Sequence, residues 1–175
     1  MAITKIQSES LNLADDYAFT GTITGAGGAN TPAFEAERPA LQNISNSTVI
    51  KIEYYSEKFD TDNCYDTSNF RFTPTVAGKY FIYASVLTDT EADGNMHESE
   101  LAIFKNGSRH TTSYYNFATG YGRTFHNKVY AIVDFNGSSD YVEMYVLIND
   151  TVSNPDVQGS GAYGYSKFGG YKIIE

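Results

Sequence analysis

Three closely spaced carboxylates in the stretch 60–66 have side chains that could bind a metal ion. Asp60, Asp62 and Asp66 lie within seven residues, and Ca²⁺ takes its ligands from carboxylate and amide oxygens at such spacings. An EF-hand loop starting at Asp60 would also need Gly at its sixth position and Glu at its twelfth, where this chain has Tyr65 and Arg71. We therefore expect an acidic turn whose side chains bond the local backbone, and retain the three aspartates only as metal candidates.

Nucleophilic chemistry has one candidate, Cys64, which is the single cysteine of the chain. A catalytic thiol needs positively charged surroundings that favour the thiolate, but the neighbours of Cys64 along the chain are acidic. The sequence contains no nucleophile elbow, phosphate-binding loop or dinucleotide fingerprint. It therefore predicts no catalytic residue, no cofactor and no enzyme. A glycan-degrading enzyme stays open as an alternative, because a pair of carboxylates brought together by folding is invisible in the sequence.

Aromatic side chains interleaved with glycine, asparagine and threonine form a second kind of candidate site. Tyrosine in such loops gives a rigid contact surface at low entropic cost. The alternative is that these rings pack on the sandwich beneath them or on an adjacent subunit. We expect loops that face a receptor, either a carbohydrate or a protein, and their candidate residues are Tyr114, Tyr115, Phe117, Tyr121 and Tyr163.

Composition narrows the class of protein that carries these candidates. The chain has 175 residues, the length of one domain, and its 12 basic and 21 acidic residues give a net charge of -9. That charge argues against a nucleic-acid groove and against docking on an anionic membrane, which both need clustered Lys and Arg. One cysteine excludes an internal disulfide framework. No apolar run has the length of a signal peptide core or a membrane helix, so we expect neither export by an N-terminal signal nor membrane insertion.

The elements that must position these residues are β-strands. From residue 33 onward, apolar and polar side chains alternate with a period of two, which is typical of strands. The run 79–87 is apolar on both of its faces, so both should be covered. Asn-Gly pairs at 106–107 and 136–137 predict two hairpin turns. With no helical period in any window, the sequence predicts an all-β fold, an antiparallel two-sheet jelly-roll sandwich.

Residues 1–31 differ from the rest of the chain. The apolar side chains before residue 20 are too few to form a core. The segment 20–31, which completes this part, is rich in Gly, Thr and Ala and is typical of a linker. We therefore predict two parts, an extended arm at 1–31 and a folded domain at 32–175. The arm must dock on this domain, a sister chain or another protein, through Leu11, Leu13, Tyr17 and Phe19.

Several short motifs in residues 32–175 together resemble the C1q family. Their order and spacing carry the resemblance more than any one of them, and Asn69 stands where the family usually has Gly. The motifs lie at Pro32–Ala36, Cys64–Asp66, Phe70–Pro74, Val76–Phe81, Lys105–Gly107, Val142–Ile148 and Ser166–Tyr171.

This resemblance implies a jelly roll of the C1q and tumour-necrosis-factor type that forms a tight homotrimer. In that arrangement the first and last strands of the domain lie near the three-fold axis. We expect at least two of Phe34, Phe168 and Tyr171 to be buried between chains; the alternative is that they fill the core of one subunit.

The arm points to a particular setting for such a trimer. Residues 5–25 and the junction 30–36 resemble short fibre proteins of tailed bacteriophages, and no collagen repeat precedes the domain. The resemblance implies a trimeric knob on the virion surface, on the tail, collar or capsid, whose arm binds other virion proteins. Such a knob would contribute to attachment to a host surface. A secreted ligand or lectin of the same fold is the alternative.

Overall fold

The computed structural model describes residues 30–117, 122–151 and 155–173. Within these ranges the chain is built from β-strands and one turn of 3₁₀ helix at Gly161–Tyr163. No helix among the described residues is long and apolar enough to cross a membrane. In chain order the strands are β1 (Ala33–Glu37), β2 (Gln42–Asn43), β3 (Ile50–Lys51), β4 (Ser56–Asp60), β5 (Tyr65–Asp66), β6 (Arg71–Phe72), β7 (Gly78–Asp89), β8 (Met96–Lys105), β9 (Ser108–Asn116), β10 (Thr124–Phe135), β11 (Val142–Asp150), β12 (Asp156–Val157) and β13 (Lys167–Lys172).

The first sheet is organised around β7. Strand β10 pairs with β7 along its whole length, while β13 and then β12 pair with its other side. Strand β1 continues the sheet from β13 and β4 from β1, and β2 pairs with β12. Every pairing is antiparallel, and β10 is one free edge of this sheet among the described strands.

The second sheet is organised around the pair β11 and β8. Its strand order is β5, β6, β11, β8 and β9, and β3 also pairs with β11. Strand β9 is one free edge of this sheet among the described strands. The two sheets therefore form an antiparallel sandwich, and the predicted all-β jelly-roll class is confirmed.

Aromatic rings fill the core between the sheets. Phe34 stacks on Phe72 with ring centroids 4.2 Å apart and on Tyr65 at 4.9 Å. Phe168 meets Phe34 edge-on at 4.8 Å, and Tyr80 meets Phe135 in the same way at 5.1 Å. Such pairs are worth about 0.5–1.5 kcal/mol each beyond the burial of their area, so this cluster ties β1 and β13 to the opposite sheet.

One of the two predicted hairpins is present. Asn106 and Gly107 both adopt positive φ, at 52° and 77°, and join β8 directly to β9, as an Asn-Gly turn requires. The hairpin predicted at 136–137 is wrong, because β10 belongs to the first sheet and β11 to the second. Asn136 Oδ1 instead accepts backbone N–H bonds from residues 138, 139 and 140, which turns the chain from one sheet to the other.

The strand β9 is longer than the sequence indicates. Residues 108–116 carry Ser, Thr and Tyr without an apolar alternation, so the pattern favours a loop at 114–117. In the structure Tyr114 and Tyr115 lie in β9, and Phe125 lies in β10. Because β9 is an edge strand, few of its side chains face the core, and the usual signal of a half-buried strand is weak.

The sandwich has two distinct ends. At the proximal end, β7 begins at Gly78 and both limits of the described chain lie together, since Lys172 N–H donates to Pro32 O and Ile173 N–H to Lys79 O. At the distal end, β7 ends at Asp89 and β8 begins at Met96. The described chain therefore begins at the end opposite the 90–95 loop.

Candidate functional site

The outer face of the first sheet carries an exposed apolar patch. Successive residues of β7 alternate between the core and this face, so Phe81 and Tyr83 point away from the core as Tyr80 and Ile82 point into it. The registers place Ile132 opposite Phe81 and Tyr130 opposite Tyr83 on β10, and Tyr171 opposite Phe81 on β13. We call this set the aromatic face; its members are Phe81, Tyr83, Tyr130, Ile132 and Tyr171.

Phe81 is the centre of the aromatic face. Its ring lies 5.7 Å from Tyr171, 6.1 Å from Tyr83 and 6.2 Å from Tyr130, measured between centroids. Tyr130 is 69% exposed, Ile132 60% and Tyr171 39%. Contiguous apolar exposure of this kind makes the aromatic face a candidate contact surface.

A polar network borders the aromatic face on the β1 side. The Tyr83 hydroxyl donates to Glu35 Oε2 at 2.9 Å, and Lys167 Nζ donates to Glu35 Oε1 at 3.1 Å. Burial, followed by the bond to the Glu35 carboxylate, raises the pKa of Tyr83 well above its usual value. The hydroxyl therefore remains a donor across the physiological range, and it fixes the ring over the neighbouring strand.

Gly169 makes room for the Tyr83 ring, which predicts a loss of stability when a side chain is added. In Gly169→Ala the new Cβ would overlap the Tyr83 hydroxyl and lie 2.9 Å from Phe34 O. We expect the free energy of unfolding, measured in urea, to fall by about 1–3 kcal/mol. Gly122→Ala is the matched control, because among the described residues its new Cβ would meet only the Phe117 ring, at an ordinary contact distance of 3.8 Å. Equal losses in both variants would contradict this close-packing argument.

The outer face of the second sheet differs, because its own charges cover it. Glu143 Oε1 accepts from Lys51 Nζ at 2.7 Å and from Arg71 Nη2 at 2.9 Å. Burial acts to raise the pKa of Glu143, but these two hydrogen bonds outweigh it and hold that pKa below its usual value. The Arg71 guanidinium also lies 3.7 Å from the Tyr141 ring centroid. This face is therefore a satisfied network within one chain, whereas the aromatic face is open.

The three residues predicted near a three-fold axis fall in two different places. Phe34 and Phe168 have no exposed surface within a single chain, so their side chains have no area left for a second chain to cover. The structure corrects the expectation for these two residues, which fill the subunit core. Tyr171 is exposed and belongs to the aromatic face. The sequence interpretation missed Tyr130 and Ile132, although the alternation of 128–134 contains the signal.

The predicted receptor-facing aromatics lie in the distal half of the domain where they are described. The Tyr114 hydroxyl donates to Glu98 Oε1 at 2.8 Å, and Tyr115 packs on Phe125 at 4.3 Å. Phe117 also meets Phe125, at 5.4 Å. Tyr163 is exposed and stacks on Tyr165 at 5.3 Å. Tyr121 lies outside the described residues, as do the arm candidates Leu11, Leu13, Tyr17 and Phe19.

A pocket of about 400 Å³ opens between the two free edges β9 and β10. Most of its lining side chains carry a hydroxyl group, and Lys128 adds an ammonium group. It adjoins the aromatic face, because Tyr130 belongs to both. The lining residues are Thr111, Thr112, Ser113, Tyr115, Lys128, Val129 and Tyr130.

The acidic turn uses its carboxylates locally. Asp60 Oδ2 accepts from Tyr65 N–H at 2.7 Å and Asp60 Oδ1 from Asp62 N–H at 3.2 Å. Asp66 Oδ1 accepts from Ser68, and these bonds, with those from Asn69, hold the pKa of Asp66 well below its usual value. Among the described residues, no three His, Cys, Asp or Glu side chains could hold a metal ion together. Asp60 and Asp66 thus act as acceptors for the local backbone in this structure, and Asp62 lies in the same turn.

The fold is an antiparallel jelly roll like that of solved C1q and tumour-necrosis-factor domains. No protein-family model matches the chain, and no curated protein matches it. Solved structures do: the globular domain of zebrafish complement 1qA protein is similar with a TM-score of 0.55 and 13% identity, over 81% of this chain and 96% of that one. Eiger TNF from S. frugiperda is similar with a TM-score of 0.55 and 10% identity, over 81% and 91%. Murine APRIL is similar with a TM-score of 0.54 and 10% identity, over 81% and 98%.

Proposed function

We propose that the chain is a non-enzymatic structural protein that assembles as a homotrimer and forms a knob on the surface of a bacteriophage particle. The observation that carries the assembly is the aromatic face. Burial of apolar surface yields about 25 cal/mol per Å², and a flat sheet face with three exposed large side chains offers such surface without unfolding any part of the domain.

A closed ring of three chains needs a contact between two different surfaces of each chain. The aromatic face is the first of these surfaces. The second is the adjoining edge formed by β9 and β10, since this edge includes the pocket that shares Tyr130 with the aromatic face. Each chain then places its aromatic face against the β9–β10 edge of its neighbour, and the three contacts close around one axis.

The two ends of the sandwich suit a knob that is attached at one side. The described chain begins at the proximal end, where the arm 1–31 would continue toward other virion proteins. Tyr114 and Tyr163 lie in the distal half and do not line the pocket between β9 and β10, and three copies in one trimer would bind a host receptor there together. Three weak contacts acting jointly give a higher avidity than one contact alone. The placement on a phage is supported by the resemblance of residues 5–25 and 30–36 to short phage fibre proteins.

Light scattering on the native protein in dilute buffer tests the assembly. A trimer has three times the chain mass of 19.3 kDa, and a mass of one chain would count heavily against the proposal. Electron microscopy of particles carrying labelled protein tests the location, with label expected on the tail, collar or capsid. Absence of label from particles, together with a trimeric mass, would favour a secreted ligand or lectin of the same fold.

A lectin role is favoured by the pocket between β9 and β10. Hydroxyl groups and two tyrosine rings line it, and this combination suits a sugar that both stacks and hydrogen-bonds. A pocket buried by assembly could not bind a free oligosaccharide, so oligosaccharide binding by the isolated trimer, lost in Lys128→Ala, would support the lectin and revise the proposed edge contact.

A further inference from the structure

Two buried carboxylates face each other at the distal end. The register pairs Asp156 of β12 with Asp89 of β7, and these residues are 1% and 9% exposed. Asp156 Oδ1 accepts from Gln158 Nε2 at 2.7 Å. Asp156 Oδ2 is buried and has no hydrogen-bond partner. An unpaired carboxylate oxygen in such a place is costly when the group is charged and much less costly when it carries a proton.

The surroundings do not neutralise both carboxylates. Asp89 Oδ1 accepts from Glu91 N–H at 2.7 Å and from Arg123 Nε at 3.2 Å. Arg123, just before β10, is the cation paired with Asp89, and it also lies 4.0 Å from Asp93. Glu91 adds a further negative charge from the loop after β7.

On the other side of β12, the described residues that flank Asp156 are uncharged amides. The register places Asn43 of β2 opposite Asp156, and Gln158 follows on the same segment. No metal-binding group of three side chains exists among the described residues, so nothing in this part of the chain points to a cation other than Arg123. A proton is the remaining means of neutralising the second carboxylate.

We propose that Asp156, buried opposite Asp89, forms a pH-sensitive contact that holds β12 against β7 while Asp156 carries a proton, and that loosens when this proton is lost. The contact goes beyond the proposed knob function and does not depend on it. Strands β12 and β2 have two residues each and are joined by one short pairing, and such small elements open locally at low cost. Loosening would therefore be confined to the β2–β12 corner of the distal end.

The direction of the pH dependence follows from the same geometry. Burial, and then the charge of Asp89, raise the pKa of Asp156 from 3.8 to about 6. Between pH 3.8 and about pH 6, the folded chain thus still binds a proton at Asp156 that the unfolded chain has already released. This contribution to stability is present at low pH and is lost as the pH rises toward 6, with the loss complete above it. The shift corresponds to roughly a hundredfold change in the unfolding equilibrium constant.

Urea unfolding of the full chain between pH 4 and pH 7.5 tests the proposal. In the wild type, the factor by which Asp156 favours folding in the unfolding equilibrium constant should fall by roughly a hundredfold across this range. Asp156→Asn should remove that pH dependence, and at pH 7.5 it should be more stable than the wild type. Asp134→Asn is the matched control, because Asp134 is exposed on β10. The stability of this variant should depend on pH in the same way as that of the wild type. Parallel curves for Asp156→Asn and the wild type would overturn the proposal.

A second measurement covers the case in which Asp156→Asn does not fold. Carboxyl ¹³C NMR of the wild-type chain should give a titration midpoint for Asp156 near pH 6, and Arg123→Gln should move it to higher pH. Amide exchange at Val157 and Gln158, corrected for intrinsic rates, should be faster at pH 7.5 than at pH 5. A midpoint near 4, or exchange independent of pH at these two amides, would overturn the proposal.

Discussion

Replacing Ile132 by Asp is expected to convert the proposed trimer into single chains with an intact fold. Ile132 is exposed in one chain, so the new carboxylate is hydrated in the monomer. In the trimer it would be taken out of water against an apolar neighbour, and an unpaired buried charge costs several kcal/mol. The cost recurs at each of the three contacts. Light scattering should give the mass of one chain, while circular dichroism should still report the same strand content.

Val49→Asp is the matched control for this substitution. Val49 is also an exposed aliphatic residue, but it precedes β3 in the second sheet and lies outside the aromatic face. The control should keep the trimeric mass. Persistence of the trimer in Ile132→Asp would mean that chains associate through another surface, and the aromatic face would then have a different partner.

Replacing Phe168 by Ala is expected to cause the largest loss of single-chain stability, about 3–5 kcal/mol. The ring has no exposed surface and contacts Phe34, Tyr54 and Tyr65 with centroids 4.8–5.7 Å apart. Removing it leaves a cavity between the sheets that these rigid neighbours cannot fill. Urea unfolding at one protein concentration should measure the loss. On warming, the variant should unfold at a lower temperature than the wild type.

Tyr171→Ala separates the core from the aromatic face. Tyr171 lies three residues after Phe168 in the same strand but is largely on the surface. We expect this variant to weaken the proposed trimer and to change single-chain stability by less than about 1.5 kcal/mol, the range of surface substitutions and modest repacking. If Phe168→Ala instead left unfolding unchanged and altered only the mass, Phe168 would belong between chains after all.

The strand β7 illustrates how much of the fold is readable from the sequence. Its period of two and its two apolar faces predict a strand covered on both sides, and the structure places one face in the core and the other in the aromatic face. Phe34 and Phe168 illustrate the limit. Alternation states which side chains share a face, but the side of the sheet that the second sheet covers depends on long-range pairing. The same resemblance that predicted the fold therefore assigned two core rings to an interface.

The Asp89–Asp156 pair was beyond the reach of sequence analysis. The two residues are 67 positions apart, and β12 is too short for its register to be inferred from a pattern. The predicted acidic turn at 60–66 is the opposite case, because its bonds link residues within five positions of each other. Contacts between side chains and the nearby backbone can be predicted from residue spacing, whereas a carboxylate pair between two strands can be identified only once the fold is known.

The shared location of Asn30 and Ile173 at the proximal end has a practical consequence for immobilisation. Tyr171 and Lys172 run antiparallel to the start of the domain, so a tether attached at Asn30 and one attached at Ile173 would hold the molecule from the same side. A chain captured on a sensor chip through an engineered cysteine at either of these two positions would thus present the same opposite surface to analytes in solution. Capture through an engineered cysteine in the 90–95 loop would invert that orientation. Comparing the binding of analytes in the two orientations would locate the surface that binds them, even before the ligand is identified.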